Sequence, residues 1–72
     1  MDIQYDKNLR LFKLRSLTKN ECLSPAMIEE LKRRNWSHAT DGHGGFNAMV
    51  VTTNGELDKD ELTKLTKSLQ TH

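Results

Sequence analysis

The chain has one cysteine, one proline and four aromatic residues in 72 positions, and no long apolar run. Each scarcity closes off a class of protein. A lone Cys22 cannot form an internal disulfide, which excludes the small secreted frameworks held by paired cysteines. No apolar stretch reaches the length of a signal-peptide core or a membrane span, so the sequence predicts a cytoplasmic protein without a membrane partner. Paired CxxC and HxxxH spacings are missing, and with them the ordinary zinc patterns. The net charge is only +1, so the large positive charge of many nucleic-acid binders is lacking too.

A chain of this length sits near the lower limit for folding alone. It predicts a single domain over 1–72, with one layer of helix on one sheet. So thin a core leaves little spare stability, which a partner or a homodimer interface would supplement. Its apolar residues are nevertheless clustered and periodic, unlike those of a disordered chain.

Two helices announce themselves by their caps. Ser24-Pro25 places a capping hydroxyl before a proline at the first helical position, where the missing N–H is harmless. Glu29 and Glu30 each precede an arginine by four residues, Asn35 suits a left-handed stop, and Met27, Ile28 and Leu31 form a narrow buried face. The second helix is predicted over 58–70. Asp58 caps it, Glu61 completes a capping box, Leu57 and Leu62 have the spacing of a hydrophobic staple, and Leu62, Leu65 and Leu69 form the buried stripe.

Between these helices, 36–40 and 46–53 are rich in aromatic and β-branched residues and flank Asp41-Gly42-His43-Gly44-Gly45, which predicts a hairpin. Symmetric closure of that loop pairs Thr40 with Phe46, His38 with Ala48 and Trp36 with Val50, all on one face. At the N-terminus, Ile3, Tyr5, Leu9 and Leu11 alternate around a polar turn, although Leu11, Leu14 and Leu17 could also line a helix. Strands are preferred, with a bulge at Phe12 where the alternation breaks. The expected fold is α+β in the order ββαββα, a small antiparallel sheet of three to four strands with two helices on one face.

Chemistry-bearing motifs are incomplete. The glycine-rich loop around His43, Gly44 and Gly45 could approach a nucleic acid or other ligand, but no helix follows it as a phosphate cradle requires. His38, Asp41, His43 and Cys22 lack metal-site spacing, so no metal or cofactor is expected. Residues 54–61 match the second half of an EF-hand loop, yet Val50 and Thr52 stand where its first acidic ligands belong. Cys22 has no sequence-adjacent base, and the carboxylates sit in capping or surface positions. No enzyme emerges from these parts.

The run of helix, Trp36, glycine-histidine turn, strand and closing helix over about 25–70 resembles the HicA toxins of bacterial toxin–antitoxin pairs. That resemblance implies a dsRNA-binding-like fold and mRNA cleavage, with His43 carrying the catalytic role. The sequence departs from the family in lacking its Gly-Ser-His turn and the strand that joins hairpin to last helix.

Charge is segregated along the chain. Lys7, Arg10, Lys13, Arg15 and Lys19 follow one another with no acid between them, while Glu56, Asp58, Asp60 and Glu61 crowd a later stretch. The expectation is a small non-catalytic regulatory or binding protein, an adaptor or inhibitor of bacterial or phage type, that docks on another protein. Tyr5, Phe12 and Trp36 are its candidate anchors, and Lys7, Arg10, Lys13 and Arg15 its charged surface. The alternative is an RNA-binding module or HicA-like ribonuclease using the basic stretch and His43.

Overall fold

Alternation at the N-terminus resolves into a hairpin. In a computed structural model, which describes residues 2–16, 23–40 and 46–69, strand β1 (Asp2–Asp6) pairs antiparallel with β2 (Leu11–Arg15). Between them the Asp6 carboxylate accepts the backbone N–H groups of Asn8 and Leu9 at 2.9 and 3.0 Å, and Arg10 takes a left-handed φ of 55° to re-enter the ladder. The expected bulge is absent. Register runs unbroken from Asp2 opposite Arg15 to Asp6 opposite Leu11, because Phe12, not Leu11, begins the inward set.

Helix α1 (Pro25–Arg33) starts as its sequence predicts, with the Ser24 hydroxyl accepting the N–H of Met27 at 3.1 Å. It stops in a Schellman arrangement. Asn35, at φ 59°, donates its N–H to Lys32, and Trp36 donates to the Leu31 carbonyl, so both orphan carbonyls are used. Leu31 and Trp36 are both buried, the apolar contact that accompanies such a stop. Of the two predicted charge pairs, Glu30–Arg34 forms at 3.1 Å, while Arg33 turns to Glu30 instead of Glu29.

Strands β3 (Ser37–Thr40) and β4 (Asn47–Val51) make the central hairpin, but two residues out of the predicted register. His38 lies opposite Val50 and Thr40 opposite Ala48. Two causes are visible: Trp36 is consumed in ending α1, and the Phe46 carbonyl accepts the N–H of Ser16 outside the ladder. A slip of two preserves the alternation, so Trp36, Ala48 and Val50 are buried as predicted, but Thr40 and Phe46, expected on the same face, are exposed at its end.

After β4 a single 3₁₀ turn (Gly55–Asp58) leads into α2 (Lys59–Leu69). The expected capping box is replaced. The Asp58 carboxylate accepts the N–H of Asn54 at 2.7 Å, before the turn, while Glu61 pairs with Arg34. Leu57 is 88% exposed, so the staple to buried Leu62 is not made.

The sheet order is β1-β2-β4-β3, antiparallel throughout. Each half of the chain is thus a ββα unit, and the halves join through their inner strands, Phe12 opposite Val50 and Leu14 opposite Ala48. These four side chains meet Met27 and Leu31 of α1, Leu62 of α2 and Trp36 in the core, with Ile3, Tyr5, Leu65 and Leu69 packed around it. Both helices therefore cover one sheet face. Burying each large apolar side chain contributes about 1.5–3 kcal/mol, the main term holding so small a fold.

Candidate functional site

Strand alternation that sends Phe12, Leu14, Ala48 and Val50 inward sends their neighbours to the uncovered face. Across it, β1 presents Asp2, Gln4 and Asp6, β2 presents Leu11, Lys13 and Arg15, and β4 presents Asn47, Met49 and Val51. The columns differ in character: acidic, then basic, then largely apolar. Met49 and Val51 are 45% and 43% exposed, high for apolar side chains in a central strand. A groove of about 430 Å³ runs over this face, with Asp2, Gln4, Lys13, Arg15, Ala39 and Met49 among its lining.

Electrostatics on the face are asymmetric. Lys13 bridges to Asp6 at 3.2 Å. The Asp6 carboxyl is held below the ordinary aspartate range, first by the Leu9 N–H, then by the hydrogen bond from Lys13, with the Asn8 N–H adding to both and outweighing desolvation. Arg15 lies opposite Asp2 in register, yet among the described residues it makes no ion pair within 4 Å. Among the described residues, Arg15 thus lines the groove with no carboxylate bridged to it.

The sequence-predicted residues separate into three groups. Lys13 and Arg15 share the open face, while Lys7 and Arg10 sit in the exposed β1–β2 turn. The aromatic anchors fall elsewhere. Phe12 is fully buried and Trp36 nearly so, and Tyr5 is half-buried with its ring 4.9 Å from that of Phe12, tilted by 58°. The rings of Phe12 and Trp36 belong to the core with Leu14, Met27, Leu31, Val50 and Leu62, which corrects the expectation that they anchor a partner, while Tyr5 packs against that core from its edge. His43, Gly44 and Gly45, together with Lys19 and Cys22, lie outside the described residues.

Other candidate chemistry finds structural employment. Among the described residues no group of three or more histidine, cysteine or acidic side chains could hold a metal ion. Around the half EF-hand, Thr52 just before it donates to the Gly55 carbonyl at 3.1 Å, Asp58 is used by Asn54, and Glu61 meets Arg34 at 2.8 Å. Arg34 also pairs with Glu30 and lies 5.3 Å from the Trp36 ring centroid, tying α1 to α2. His38 is half-buried on the inward side of β3, opposite Val50.

Sequence reasoning missed Met49, Val51, Asp2 and Asp6. A signal existed for the first two, since inward Ala48 and Val50 force them outward. For the acids there was none short of the fold, because only the β1–β2 ladder lays them beside the basic strand. Among the described residues no helix is long and apolar enough to cross a membrane. Comparison with known families, curated proteins and solved structures finds no match to this chain.

Proposed function

We propose that this chain is a small non-catalytic binding protein that docks on another protein through the open face of its sheet. The observation carrying this reading is the exposure of Met49 and Val51 on a central strand beside the charged column of β2. A patch of apolar side chains rimmed by charge suits a partner surface, with apolar contact for affinity and charge for orientation. Regulation or inhibition of the partner is the natural output of so small a domain. Metal chemistry is not supported by any cluster among the described residues.

RNA binding by the basic stretch is weakened by its surroundings. Asp2 and Asp6 flank Lys13 and Arg15 on the adjacent strand, so a phosphate backbone crossing this face meets repulsion at both ends of β1. A photo-crosslinking residue at position 49 tests the two readings in one experiment. Crosslinks to one stoichiometric protein, unchanged by nuclease and lost in Val51→Asp, are expected; crosslinks to RNA or DNA would refute docking on protein.

A further inference from the structure

Resting on that docking reading, we infer that the partner segment is acidic: a stretch carrying an aspartate or glutamate beside a long apolar side chain, its carboxylate on Arg15 and its apolar group on Met49. Three features of the open face converge on this chemistry. Arg15 projects over the groove without an ion pair among the described residues, and a guanidinium presents a planar fork that matches one carboxylate with two parallel hydrogen bonds. Lys13 stands two residues away on the same face. Its side chain is more than half exposed, and its ammonium has three donors, of which the bridge to Asp6 needs one, so it can take a second acceptor.

The apolar half of the site is equally placed. Arg15 pairs with Asn47, which makes Met49 its diagonal neighbour, roughly 7–8 Å away between Cα atoms. An acidic and an apolar residue three or four apart on a helix, or two apart on a strand, span that separation. Met49 is unbranched and polarizable, suited to adapt to more than one apolar shape.

Charge also limits the partner from the other side. Asp2 and Asp6 bound the basic column along β1, so isolated carboxylates are accommodated over Arg15 while an extended run of acids or phosphates is repelled. A basic segment is disfavoured as well, because the groove is lined by two cations, Lys13 and Arg15, and one carboxylate, Asp2.

Selection from a phage-displayed library of random 16-residue peptides on the immobilised full chain tests this, followed by fluorescence anisotropy with a labelled consensus peptide. Enrichment of peptides with Asp or Glu within four residues of Leu, Met or Phe is expected, with affinity reduced at least tenfold in both Arg15→Glu and Met49→Ser. Arg15→Glu should instead select basic peptides. Both positions are exposed on the sheet, and circular dichroism checks that the variants remain folded. Enrichment indifferent to charge but lost in Met49→Ser would overturn the acidic partner while leaving the docking face intact. Absence of enrichment, or peptides bound equally by both variants, would overturn face and partner together. Self-association in sedimentation equilibrium that Met49→Ser abolishes would assign the groove to a second copy and likewise defeat the proposal.

Discussion

The hydroxyl of Ser24 donates to the main-chain carbonyl of Leu69 at 3.0 Å while accepting the N–H of Met27 at 3.1 Å. One side chain thus caps the start of α1 and satisfies a carbonyl at the end of α2. Replacing a capping serine by alanine ordinarily costs about 1 kcal/mol, and the additional lost bond to Leu69 brings the expectation for Ser24→Ala to about 2 kcal/mol. Ser24→Asp keeps a capping acceptor but has no hydroxyl to donate and sets a negative charge at the negative end of α2. Urea denaturation should therefore place both variants below the parent. Equal stability of Ser24→Asp and the parent would show that the link between helices contributes nothing.

Which face of the sheet carries the fold is tested by contrast. Phe12→Ala empties a fully buried site and should cost about 3–5 kcal/mol, a large part of the roughly 4–11 kcal/mol available to a chain of this size. Met49→Ala, one register position along on the neighbouring strand but on the open face, should change stability by no more than about 0.5 kcal/mol. Thermal melts distinguish them directly. A comparable loss from both would mean that a further layer covers the open face.

Gly55 sits at φ 61° with Tyr5 against it, and a Cβ there would lie 3.0 Å from the Tyr5 hydroxyl oxygen. Gly55→Ala combines a left-handed backbone penalty of about 1 kcal/mol with displacement of that hydroxyl. Tyr5→Phe removes the obstructing atom, so Gly55→Ala should be less damaging in a Tyr5→Phe background than alone. Strict additivity in the double-mutant cycle would show that the phenol does not obstruct the site.

Acid should weaken the β1–β2 turn through Asp6. Its folded-state pKa is depressed, so the charged carboxylate contributes stability in full above the ordinary aspartate value of about 4. That contribution fades as pH falls through the lower native value. Asp6→Asn retains an acceptor for the Leu9 and Asn8 N–H groups but carries no charge, so its stability should vary less with pH in that window. Parallel acid titrations of the two proteins would contradict this.

Much of the architecture was legible because local signals agreed with one another. Ser24-Pro25 and Asn35 bracket α1 by backbone requirements that tertiary packing did not need to override. The leucine stripe at 62, 65 and 69 fixed the orientation of α2, and its start was placed correctly although its cap was misread: Asp58 had two ways to use its carboxylate, and the 3₁₀ turn favoured the upstream N–H of Asn54. Register in the central hairpin failed because a symmetric loop ignored what Trp36 and Phe46 bond to outside it. The site was harder to see. Aromatic rings look alike as anchors or core until the core is counted, and a basic run in sequence says nothing of the acids that the next strand brings alongside.

The joining of two ββα units along β2 and β4 also dictates an order of events as the chain folds. Each hairpin can close from neighbouring residues on a timescale of microseconds, whereas β2 meets β4 only after the intervening chain has been restrained, at the expense of loop entropy. The rate-limiting barrier should lie at that union. Conservative truncations at Leu14 and Val50 are then expected to slow refolding, while those at the outer Ile3 mainly hasten unfolding.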